Sequence, residues 1–153
     1  MAYGEGADPR GTTLKTGTVI YGPGKILSFT SGQTGVDLCA AGEFAMGVSA
    51  GDSERAAGGA LKTAAGATVS YYPLGGTLMI QSAAVTWEEG DIAYAGADGL
   101  VTNSNASSAK KMGIYVGAGG AAGALGANGA GDTTNTEGRM VPIATAGYEV
   151  GQQ

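Results

Sequence analysis

Between Val85 and Val101 the chain reads V-T-W-E-E-G-D-I-A-Y-A-G-A-D-G-L-V, and its apolar positions recur every second residue. Val85 and Trp87 alternate with Thr86 and Glu88, the pattern of a strand with one buried face. Glu89-Gly90-Asp91 interrupts the run at a glycine free to take a positive φ. Ile92 and Tyr94 then alternate with Ala93 and Ala95, and Gly96-Ala97-Asp98-Gly99 turns the chain before Leu100-Val101. Asp-Gly between apolar runs is a hairpin signal. The stretch predicts a β-meander around which the rest is organised, with the only tryptophan at its head, in the core or at an interface.

Similar short runs flank it. Lys25–Thr30 (K-I-L-S-F-T) predicts a strand ended by Ser31-Gly32-Gln33-Thr34-Gly35, and V-D-L-C-A follows over 36–40. E-F-A-M-G-V-S over 43–49 predicts a strand with Phe44, Met46 and Val48 on one face. Residues 52–58 suit a short helical turn with Asp52 or Ser53 as N-cap and Gly58 as stop. A-L-K-T, A-T-V-S-Y-Y and T-L-M-I-Q are further strands, with Pro73-Leu74-Gly75-Gly76 as a turn. Lys110–Val116 is a strand, and Gly138–Ala144 another whose Pro142 points to an edge or a bulge. Short strands at such spacing predict an all-β sandwich or small barrel.

Residues 1–24 differ in texture: Gly, Thr and Pro dominate, with Tyr3, Leu14, Val19, Ile20 and Tyr21 as the sizeable apolar groups. Two readings stand, a terminal tail or an extended arm that orders against a neighbouring subunit. The organisation expected is therefore an arm over 1–24 and one β-domain over 25–153, with a Gly/Ala-rich surface loop over 117–137.

Composition sharpens this picture. Thirty of the 153 residues are glycine, well above the usual ~7% and without a Gly-X-Y period. With two phenylalanines and one tryptophan, the core is thin, and oligomerisation or docking would supply burial it lacks. Eight basic against thirteen acidic residues give a net charge of −5, which argues against nucleic acid as a partner. No basic amphipathic helix suits a membrane surface, no apolar run is long enough to span one, and no signal peptide is expected. Cys39, the only cysteine, lies in an apolar run and reads as a buried reduced thiol.

Candidate chemistry is sparse. The chain has no histidine, which removes Ser-His and Cys-His pairs and the HExxH zinc site. Glu88, Glu89 and Asp91 cluster near Asp98, but acids at the tip of a small β-domain read first as a solvated turn. The regular calcium-loop spacing is absent. Gly117–Ala122 matches G-x-G-x-x-A, yet residues 120–136 offer only Leu125 for a helix to pack with, so no dinucleotide site is expected. No enzyme activity, cofactor or metal is expected.

The runs E-F-A-M-G-V-S-A-G-D, G-G-T-L-M-I, A-V-T-W-E-E-G-D-I-A-Y-A-G-A-D-G-L-V-T, K-K-M-G-I-Y-V-G-A and G-R-M-V-P-I together resemble the capsid cement or decoration proteins of tailed viruses. The resemblance implies a β-barrel or β-tulip core, often a trimer, on the outside of a viral head, made in the host cytoplasm. It implies the major capsid protein as partner and no catalytic residues. Tyr3, Arg10, Leu14, Tyr21 and Trp87 are the expected capsid or subunit contacts. A carbohydrate- or receptor-binding module of a virion fibre or head spike is the alternative, with Tyr71, Tyr72, Tyr94 and Trp87 as stacking platforms.

Overall fold

The computed structural model describes residues 10–15, 20–21, 23–29, 35–51, 54–55, 61–63, 68–121 and 140–145. Among them the chain is all-β. The strands in order are β1 (Arg10–Thr13), β2 (Ile20–Tyr21), β3 (Ile26–Phe29), β4 (Val36–Leu38), β5 (Gly47–Gly51), β6 (Glu54–Arg55), β7 (Leu61–Thr63) and β8 (Thr68–Pro73). They continue with β9 (Thr77–Gln81), β10 (Thr86–Trp87), β11 (Ile92–Ala95), β12 (Val101–Thr102), β13 (Lys110–Tyr115), β14 (Gly120–Ala121) and β15 (Met140–Ala144).

Two five-stranded antiparallel sheets form the body, in the orders β1-β8-β5-β3-β4 and β12-β11-β13-β15-β9. Each curls until its two edges touch at one point. In the first, Leu14 bridges Val36 and the Lys15 N–H donates to the Val36 carbonyl at 2.8 Å. In the second, Ser82 bridges Val101 and the Ala83 N–H donates to the same residue's carbonyl at 2.9 Å. Touching edges leave fewer open donors and acceptors for stray pairing. Small ladders β10-β14 and β2-β7-β6 complete the described strands.

Strand alternation sorts the apolar residues into two cores. Ile26 and Val48 of the first sheet face Leu78, Ile80, Trp87, Ala93, Ala95, Met112, Val141 and Ile143 of the main core. Leu27, Val36 and Val69 face the other way, packing with Leu14 and Ile20. The first sheet is thus covered on both faces, which is why I-L at 26–27 is a continuous apolar pair. Gly24 ties the two sheets together: its N–H donates to the Ser49 carbonyl and its carbonyl accepts from the Gln81 N–H, both at 2.8 Å.

Several expectations from the sequence are corrected. Phe44, Met46 and Val48 do not share a face, because β5 begins only at Gly47 and the preceding residues are not extended in register. Val48 enters the main core, Met46 packs on the second, and Phe44 is exposed. Glu54–Arg55 is a strand paired with β7 rather than part of a helical turn; the rest of 52–58 lies outside the described residues. β15 is an interior strand, not an edge. Pro142 is accommodated there because its own side of the β13 ladder ends beside it. The Val116 N–H donates to the Pro142 carbonyl at 3.1 Å, while the reciprocal bond, which proline cannot donate, is not needed.

The meander is also modified. β11 and β12 form the expected hairpin, but β10 pairs with β14 instead of β11. On β11 it is Ala93 and Ala95 that face inward, while Ile92 is 44% exposed. The Trp87–Tyr115 ring pair, with centroids 5.1 Å apart, and Met112 occupy the volume that larger β11 side chains would need. On β13 a bulge leaves Met112 without a partner, since Tyr94 pairs with Lys111 and Ala93 with Gly113. That extra residue lets Met112 and Tyr115 both enter the core despite their odd spacing.

Candidate functional site: an exposed aromatic groove

An exposed aromatic surface begins where the first sheet runs out. β3 alternates Ile26 and Leu27 between the two cores, and Ser28 is buried, but Phe29 at the strand end is 65% exposed. After β4 the chain turns through Ala41-Gly42, where the Glu43 N–H donates to the Ala40 carbonyl at 3.1 Å. Glu43 Oε2 answers by accepting from the Ala40 N–H at 2.9 Å and from Ser28 Oγ at 2.7 Å. This reciprocal pair orients the carboxylate and anchors the turn on β3. Phe44 follows, 56% exposed, and the Met46 N–H returns the chain to the Leu27 carbonyl.

Phe29, Gly42, Glu43, Phe44, Ala45 and Met46 line an open groove of about 420 Å³. Lys110 Nζ lies 5.2 Å from the centre of the Phe44 ring, a cation–π contact. Both of the chain's phenylalanines therefore stand at the rim of one groove rather than in a core. The sequence reading assigned each to an ordinary strand. The signal available to it was that the only two phenylalanines each sit where an apolar run meets a Ser- or Gly-containing turn. Another depression, of about 380 Å³, is lined mainly by alanines with Asp98, Thr102 and Ser104.

The residues singled out from the sequence fall in different places. Arg10 is exposed at the start of β1, opposite Tyr71. Leu14 is 1% exposed and belongs to the chain's own second core, as does Ile20. Tyr21 pairs with Lys62 in the β2–β7 ladder. Tyr3 and Val19 lie outside the described residues, as do 122–137 of the Gly/Ala tract. Trp87 is 1% exposed, its Nε1–H donating to Ser82 Oγ at 2.8 Å, so it presents no ring face to solvent. Tyr71 and Tyr72 are half-buried against the two cores. The structure does not gather these residues at one site.

The acids of the central stretch form a turn. Asp91 Oδ2 accepts from the Glu88 N–H at 2.9 Å and from Asn103 Nδ2 at 3.1 Å, which holds the reversal at Gly90. Glu88, Glu89 and Asp98 point to solvent. No group of three metal-ligating side chains occurs among the described residues. Cys39 is buried as expected; burial, and next the nearby Glu43 charge, push its thiol up from 9.0 to about 12, so it is a poor nucleophile. No helix among the described residues is long and apolar enough to cross a membrane. No family model matches the chain, and no curated protein matches it.

Proposed function

We propose that this chain is a non-enzymatic structural protein of a virion that binds the outside of a viral head and cements neighbouring major capsid subunits, acting as a homotrimer. The observation that carries the reading is the aromatic groove. A small β-protein that leaves Phe29 and Phe44 at 65% and 56% exposure beside one concavity has surface to bury against another protein. The cadence of strands and glycines that resembles capsid decoration proteins supplies the kind of partner. A net charge of −5 suits docking on a basic surface and keeps a many-copy protein soluble.

The test compares heads with and without the protein. Heads lacking it are expected to assemble but to release DNA at lower temperature, and adding the purified chain back is expected to restore their stability. Equal heat stability with and without it refutes cementing. Sedimentation of the purified chain at the mass of a trimer supports the assembly state; a monomer at capsid-saturating concentration refutes it.

A further inference from the structure

We propose that the groove between Phe29 and Phe44 receives an arginine side chain on an extended apolar segment of the partner protein, with Glu43 Oε1 as its counter-charge. The proposal rests on the docking role just argued and names the chemistry of the occupant.

Three observations converge. First, Glu43 is only half satisfied. Its Oε2 takes two hydrogen bonds, from Ser28 Oγ and the Ala40 N–H, while Oε1 accepts none among the described residues. A carboxylate has acceptor capacity on both oxygens, and Glu43, its carboxylate oriented by those two bonds, is one of the residues lining the groove. Second, the chain itself shows what the flanking rings accept: Lys110 Nζ already sits over Phe44. Phe29, the more exposed ring, carries no cation among the described residues. Third, the remaining lining is Gly42, Ala45 and Met46, which is apolar and adaptable. A ligand filling it needs a cationic tip and apolar neighbours.

Arginine fits better than lysine. Its planar guanidinium pairs with a carboxylate edge while stacking on an aromatic face, and it is more weakly hydrated than an ammonium. The overall charge of −5 adds long-range attraction for a cationic partner.

The test uses the full chain and a defined probe, acetyl-Ile-Arg-Ile-amide, followed by ¹H–¹⁵N NMR, with the citrulline peptide as the neutral isostere. Saturable shifts confined to residue 29 and residues 40–46 are expected, weakened about tenfold or more by citrulline, by Phe29→Ala and by Glu43→Gln, and weakened by salt. Phe29 is exposed, so Phe29→Ala leaves the fold intact and keeps the test valid even if Glu43→Gln disturbs the turn. No saturable shifts, shifts elsewhere, or equal response to arginine and citrulline overturns the proposal. Phe29-dependent self-association without a peptide response also overturns it, in favour of a second copy on this face.

Head binding separates the two readings. If Phe29→Ala and Glu43→Gln bind heads as well as the parent chain, the groove inference fails while cementing survives. If the parent chain does not bind heads but binds the arginine peptide as stated, cementing fails and the groove inference stands.

Discussion

Gly24 and Gly90 adopt nearly the same φ in different surroundings, and replacing each by alanine separates backbone strain from packing. Their φ values are +90° and +91°. A Cβ built at Gly90 meets nothing within 4 Å, whereas one at Gly24 lies 2.5 Å from Met140 Sδ, 2.6 Å from Met140 Cε and 3.3 Å from the Gln81 nitrogen. Gly90→Ala therefore measures the positive-φ penalty alone, about 1–2 kcal/mol. Gly24→Ala carries the same penalty plus the displacement of Met140. Met140 is only half-buried and the atoms in the way are the flexible end of its side chain, so it can be displaced. An overpacking cost of about 1 kcal/mol, the low end for such insertions, is expected on top. Gly24 also joins the two sheets, so strain there is felt by both.

Thermal unfolding followed by Trp87 fluorescence reads the difference, since the indole is buried against Tyr115 and becomes solvated on unfolding. Thermal midpoints are expected to fall by roughly 2–8 °C for Gly90→Ala and by roughly 4–12 °C for Gly24→Ala. In a Met140→Ala background the Gly24→Ala loss should shrink to that of Gly90→Ala. Equal losses for the two single variants, or no relief by Met140→Ala, would refute the assignment of Gly24 as a packed junction.

Other expectations concern named groups. Ser82→Ala leaves the buried Trp87 Nε1–H without its acceptor and should cost about 1–3 kcal/mol in urea unfolding, with Trp87→Phe in the same background relieving part of that loss. Cys39 should resist thiol reagents at pH 8 in the native chain and react once urea unfolds it. Between pH 9.0 and about 12 the native thiol keeps a proton that the unfolded thiol loses, so its contribution to stability is complete below 9.0 and declines as pH rises through that window. Cys39→Ala should flatten that decline in pH-dependent melts. The Lys15–Asp37 ion pair, at 2.9 Å with both side chains partly solvated, should be worth less than about 1 kcal/mol, so Asp37→Asn should barely shift the melting midpoint.

Alternation and turn chemistry already marked out most of the strands. The runs at 26–29, 77–81 and 92–95, and the turns at Gly90 and Asp98-Gly99, follow from period-2 spacing and from residues that tolerate positive φ. The all-β class followed from those local preferences. Local pattern did not reveal which face of a strand would be covered, because that depends on what lies opposite. Ala93 and Ala95 face inward since Trp87, Tyr115 and Met112 fill the space across from them. Met46 and Val48 part ways because the strand begins between them.

The candidate site was the least legible part. Of the aromatics singled out by the sequence, Trp87 ends in the core and Tyr71 and Tyr72 half-buried against the two cores, while the chain's two phenylalanines stand outside. A side chain's type sets its preference for burial, but the groove forms from Phe29 and from a turn beyond the next strand. Only the tertiary arrangement, through the Glu43 contacts to Ser28 and Ala40, brings them to one rim. Short-range steric preferences are written residue by residue along the chain, whereas exposure is a property of distant segments meeting.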